Sequence, residues 1–193
     1  MAGDTSYASV VLLLHGDGTN GSTTITDSSA TPKTVTAYGS AQISTEQSKF
    51  GGASIKLTSA GSGYAKIAHA SDFNFGNGAF TIEFFYYPVS VGAYSAIFGG
   101  DEPDYPLCIY HGSSVNSGNP IAALGPNSSS WFAAASGLSF GAVSNNTWYH
   151  IALVRQGDTF RAYKDGVQQA TGDGQLGGLV LDRLGQLFDL AEV

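Results

Sequence analysis

Positive charge is scarce in this chain, cysteine scarcer still, and no apolar run comes near the length of a membrane span. Eight lysines and arginines stand against fifteen aspartates and glutamates, a formal charge of −7 over 193 residues. Binding to a phosphate backbone draws on clustered Lys and Arg, so nucleic acid is excluded as a partner and anionic membrane surfaces are disfavoured. The one cysteine, Cys108, excludes an internal disulfide framework. It sits in Leu107-Cys108-Ile109-Tyr110, which reads as a buried thiol with His111 the only nearby group able to activate it. The run Val10-Val11-Leu12-Leu13-Leu14 is far too short to cross a bilayer, so no membrane insertion is expected. The opening Met1-Ala2-Gly3-Asp4-Thr5-Ser6 shows no signal peptide. A virion protein released by lysis fits that opening, and so does a cytosolic protein or an extracellular one whose signal has been removed.

What is present points to strands. Gly, Ser and Thr are abundant and the hydrophobic fraction is 42%, enough for a packed core and too much for a disordered chain. The length suits one all-β domain. In Phe80 to Tyr87, the side chains of Phe80, Ile82, Phe84 and Tyr86 share one face and Glu83 falls on the other. Ala53, Ile55 and Leu57 alternate with polar residues as a one-sided strand. Tyr149, Ile151 and Leu153 alternate with Trp148, His150, Ala152 and Val154, which predicts a strand buried on both faces. Thr159 to Lys164 follows, and Asp165-Gly166 then turns the chain into Val167, since both central positions of such a hairpin require positive φ. Gly/Ser/Asn-rich loops lie at Gly16 to Ser22, Gly112 to Asn119 and Gly125 to Ser130. At the C-terminus, Leu184 to Val193 has helical spacing but equally suits a last strand cut short.

Several segments, in order, resemble the concanavalin A-like lectin/glucanase superfamily, in particular the laminin-G-like jelly-roll domains of phage and bacterial surface proteins. They are Leu12 to Gly21 with Asp27-Ser28-Ser29, which resemble the family's first strand and loop, then Lys49-Phe50-Gly51-Gly52-Ala53-Ser54-Ile55, and Asp72-Phe73-Asn74-Phe75. Phe80-Thr81-Ile82-Glu83-Phe84-Phe85, Trp148-Tyr149-His150-Ile151-Ala152-Leu153-Val154-Arg155, and Tyr163-Lys164-Asp165-Gly166 complete the set. The resemblance implies a two-sheet antiparallel jelly-roll sandwich over residues 9–193 after a lead-in of residues 1–8. The opening together with Ser48-Lys49-Phe50-Gly51-Gly52 is most similar to phage virion proteins of the tail-fibre, adhesin or decoration type. It implies a glycan or host-cell surface as partner, or, in a purely structural part, other virion proteins or copies of the chain. These motifs are strand cores and turns, which report fold before function.

No catalytic constellation is visible. The glucanase relatives set a nucleophile and an acid on one strand face with Glu-x-Asp-x-x-Glu, a spacing this sequence lacks. Asp101-Glu102-Pro103-Asp104 is a proline-marked loop of solvated carboxylates, and Glu83 stands alone on its strand. Asp17 and Asp27 flank a Gly/Ser/Thr-rich loop whose oxygens suit calcium, although both residues also suit turns. The resemblance implies a structural calcium here, with Asp189 or Glu192 of the closing segment completing its ligands. For sugar binding, the loops offer Tyr94, Tyr105, Tyr110 and Trp131, with Asn127 among the nearby amides. Trp131 follows three serines and is the leading candidate, unless Trp131-Phe132-Ala133 begins a strand that packs inward.

Overall fold

The computed structural model describes residues 6–58, 62–67, 70–73, 78–90, 95–99, 107–112, 116–124 and 137–174. Its strands are β1 (Thr24–Ile25), β2 (Val35–Tyr38), β3 (Gln42–Ser44), β4 (Ser54–Lys56), β5 (Tyr64–Ile67), β6 (Phe80–Tyr86) and β7 (Ser95–Gly99). They continue with β8 (Leu107–His111), β9 (Ile121–Leu124), β10 (Leu138–Ser139), β11 (Tyr149–Gln156), β12 (Thr159–Lys164) and β13 (Val167–Asp173). Among the described residues there is no α-helix, and every strand pairing is antiparallel.

Two four-stranded sheets make the jelly-roll sandwich, with strand orders β13-β12-β11-β6 and β10-β9-β8-β7. In the first, β6 and β11 pair with Phe84 opposite Ile151, Ile82 opposite Leu153 and Phe80 opposite Arg155. Side chains alternate between faces, so this register turns the predicted apolar stripe of β6 and the odd-numbered residues of β11 toward one interior. Ile151, Leu153, Phe160 and Ala162 lose all exposure there, and Leu107, Ile109, Ala122 and Leu124 of the facing sheet join the same cluster. A smaller core of Ile25, Ile43, Ala53 and Ala65 lies among the short sheets β1-β2-β5 and β3-β4.

Arg155 also points inward, with 1% exposure, Nε donating to the Gly157 carbonyl at 3.0 Å and the guanidinium 5.5 Å from the Phe160 ring. A planar cation lying on an aromatic face and bonded to backbone can be buried at tolerable cost. The Asp165-Gly166 turn has the expected positive φ at both positions, 50° and 77°. Asp165 Oδ1 accepts from the His150 N–H at 2.9 Å and its own N–H donates to the His150 carbonyl at 2.8 Å, which ties the turn to the start of β11.

Two expectations need correcting. Leu12 to Leu14 is not a strand: a single bridge, Leu14 to Asp27, stands in its place, because the backbone N–H of Leu13 bonds a side chain instead of a neighbouring strand. The outer face of β11 is also only partly covered. Ala152 is buried there, while His150 and Val154 are half-exposed between the longer side chains of β6 and β12. The C-terminal segment Leu184 to Val193 lies outside the described residues.

Truncating Leu153 to alanine deletes a fully buried side chain at the centre of the sandwich. The expected loss is about 3 kcal/mol, read as a lower urea midpoint with unchanged slope, whereas Thr81→Ala on the exposed face costs less than about 1 kcal/mol.

Candidate functional site

The opening loop is organised around one buried carboxylate. Asp27 is 4% exposed. Its Oδ1 accepts from the N–H of Leu13 at 3.0 Å and of Ser29 at 2.9 Å, and its Oδ2 from Ser29 Oγ at 2.9 Å and the Lys33 N–H at 2.7 Å. A carboxylate has about four lone-pair positions, and here each meets a donor. Burial pushes the acid up, but the bonds from Leu13, Ser29 and Lys33 outweigh it and hold the carboxyl below its usual value of 3.8. Asp27, expected as a calcium ligand, has its oxygens met here by N–H and O–H donors. Asp17 is exposed and lies against Gly51, whose φ of +67° and missing Cβ admit that side chain. No group of three or more potential metal ligands occurs among the described residues. Asp189 and Glu192 lie outside them.

Of the loop residues expected to bind sugar, Trp131, Tyr94, Tyr105 and Asn127 also lie outside the described residues. Tyr110 does not belong to a loop. It sits in β8, paired on one side with β7 and on the other with β9, and is half-buried.

A different aromatic group is exposed on the outer face of β6 and β11. Phe85 lies opposite His150 in the register, with ring centroids 5.0 Å apart, and is 41% exposed. Phe50, 67% exposed, reaches it from the turn before β4 and meets its ring edge-to-face at 5.1 Å and 83°. Lys49 Nζ stands 5.6 Å from the Phe85 ring. Glu83, two residues before Phe85 and on the same face, carries its Oε2 3.3 Å from His150 Nε2. Glu83 is thus not alone, and His150 is not a core residue: alternation along β11 turns it outward. Sequence reasoning passed over this group although one signal was available, an aromatic (Phe85) on the face that Glu83 marks as polar.

A family model for the concanavalin A-like lectin/glucanases superfamily, Laminin_G_3, matches residues 59–183. The chain belongs to this family. Among solved structures, the laminin-G-like chain is similar to a type C botulinum neurotoxin whose cell entry is described as dependent upon interaction with two ganglioside molecules (16% identity, TM-score 0.70). It is equally similar to the binding domain of botulinum neurotoxin DC in complex with SialylT (16%, 0.69). Each match covers 97% of this chain and 44% of the other, so the chain spans less than half the length of those neurotoxin chains. Domain 4 of AbnA, an extracellular GH43 arabinanase of Geobacillus stearothermophilus in complex with arabinotriose, is 16% identical with a TM-score of 0.61, over 89% of this chain and 82% of that one. At such identities the likeness establishes the fold alone. No curated protein matches the chain.

Within the laminin-G-like sandwich, two further titratable groups, Cys108 and His111, are buried. Burial pushes the Cys108 thiol up to about 12, which removes it as a nucleophile. His111 does not activate it. Its Nδ1 lies 2.8 Å from Tyr86 Oη and its Nε2 3.1 Å from the Gly118 carbonyl, so Nε2 carries the proton, Tyr86 donates, and the ring is neutral. Burial holds the imidazolium form below its usual range, only partly offset by Gly118.

Both shifts make the fold acid-sensitive. His111 and Asp27 have folded-state values below their unfolded ones, so each contributes stability above its ordinary pKa and loses it as pH falls toward the folded value. Urea midpoints should decline first below about pH 6.5 and again below about pH 4. Asp27→Asn should abolish the second step and cost about 1–3 kcal/mol at neutral pH, because one amide oxygen cannot serve four donors.

Proposed function

We propose that this laminin-G-like domain is a non-catalytic glycan-binding module, displayed on a phage virion as a tail-fibre, adhesin or decoration part, with its site on the outer face of β6 and β11. The observation that carries the reading is the exposed Phe50–Phe85 pair, set beside Lys49, Glu83 and His150. Large exposed aromatics in contact with one another mark a binding surface, and rings beside hydrogen-bonding groups suit the alternately apolar and hydroxylated faces of a sugar. Ganglioside and arabinotriose, the ligands described for two of the structural relatives, both carry sugars. Absence of catalysis is supported from the same strand. Counting from Glu83, the positions a retaining pair needs are taken by Phe85 and Pro88, and Glu83 itself is engaged by His150. The virion setting rests on the opening segment and on Ser48 to Gly52, which resemble phage surface modules.

Binding of labelled protein to a glycan panel and to candidate host cells tests the reading. Saturable binding is expected, weakened about tenfold or more by Phe50→Ala while the urea midpoint stays unchanged. Loss on Trp131→Ala with Phe50→Ala silent would move the site to Trp131. No binding under any condition would leave a structural role, in contact with virion proteins or further copies of the chain.

A further inference from the structure

The chemistry of the patch goes further than its being a glycan site. We infer that it takes a neutral oligosaccharide, with the Phe50 ring as stacking platform and Glu83 as the acceptor that reads hydroxyl groups, held in place by His150; this rests on the glycan-binding reading of the same patch.

Four observations converge on it. Phe50 is held by Phe85 through an edge-to-face contact, which fixes the ring while leaving it 67% exposed, and so offers a face to the C–H side of a pyranose or furanose. Glu83 is 61% exposed in its side chain, and among the described residues His150 meets only its Oε2, so Oε1 offers its lone pairs to ligand hydroxyls. Lys49, placed over Phe85, supplies donors for ring or hydroxyl oxygens. Along β6, Glu83 and Phe85 are two residues apart, about 6.5 Å, and Phe50 packs on Phe85. A platform and an acceptor so separated suit a chain of two or more sugar units better than a single one.

Charge decides the class. An acidic sugar would bring its carboxylate beside the Glu83 carboxylate, with Lys49 as the fixed positive charge of the cluster, on a chain whose formal charge is −7. Like charges at that separation repel, and the field of the whole chain lowers the encounter rate of anions. A neutral saccharide avoids both terms, and its hydroxyls satisfy the free carboxylate oxygen with charge-assisted bonds.

The test is titration of the purified chain with immobilised neutral di- and trisaccharides and with sialylated counterparts of the same core, at low and high salt. Neutral ligands should bind with an affinity that salt barely changes, and sialylation should weaken binding. Phe50→Ala and Glu83→Ala should each weaken it about tenfold, Glu83→Gln should recover part of the loss, and His150→Ala should fall between. Thermal midpoints should stay with the wild type, since Phe50 and Glu83 are exposed. Preference for sialylated ligands with strong salt dependence would overturn the inference. So would neutral binding indifferent to both Phe50→Ala and Glu83→Ala, which would leave glycan binding standing and remove this site. Failure of the wild type to bind any glycan would remove both.

Discussion

The interior and the candidate site both depend on the register between β6 and β11. Leu153 opposite Ile82 and Ile151 opposite Phe84 fill the space between the two large sheets. The same pairing sets His150 opposite Phe85 and Ala152 opposite Glu83 on the other side. Because side chains alternate with a period of two, a slip of one residue would send Leu153 into solvent and His150 into the core. Apolar burial therefore fixes the geometry of a polar cluster that contributes little to stability itself. Ala152 adds a local condition, since a larger side chain at this position would stand between Glu83 of β6 and Tyr163 of β12.

Burial of Asp27 is a second constraint, of a different kind. An unpaired carboxylate inside a protein is expensive, and the four donors that compensate it come from Leu13, Ser29 and Lys33. Those residues lie on the segments before and after Asp27, so one side chain closes the opening loop where a strand ladder would otherwise be needed. Lys33 extends the arrangement, with Nζ donating to the Val11 carbonyl at 2.6 Å and pairing with Asp72 at 3.0 Å. The opening segment is thus fastened through charge-assisted bonds, which are stronger than neutral ones and fail in acid.

The strands that carry their own pattern were legible in the amino-acid sequence. Phe80 to Tyr86 shows its alternation outright, and Asp165-Gly166 is read from turn chemistry alone. The buried thiol at Cys108 was equally plain from its apolar neighbours. Leu12 to Leu14 was misread because an apolar run announces burial, not pairing, and the partner that intercepts its backbone is an aspartate side chain. Tyr110 was misplaced in a loop although it follows Leu107-Cys108-Ile109; the Gly/Ser-rich stretch after it obscured where β8 ends. The patch was the least legible feature. Phe50 belongs to a turn, Phe85 and Glu83 to one strand and His150 to another, and nothing local announces that a register will bring them together.

Position relative to the family match adds one more step. Phe85, Glu83 and His150 fall inside the matched residues 59–183, on the sheet that defines the sandwich, whereas Lys49 and Phe50 precede them. The rigid half of the patch is thus built by the ladder, and the exposed half is brought to it by the turn that ends in Gly51 and Gly52. Such a turn can change its side chains without disturbing the core, because Phe50 gains little burial from its place and loses little stability by leaving it. A patch divided in this way keeps Glu83 and His150 fixed on β6 and β11 while Phe50 is free to vary.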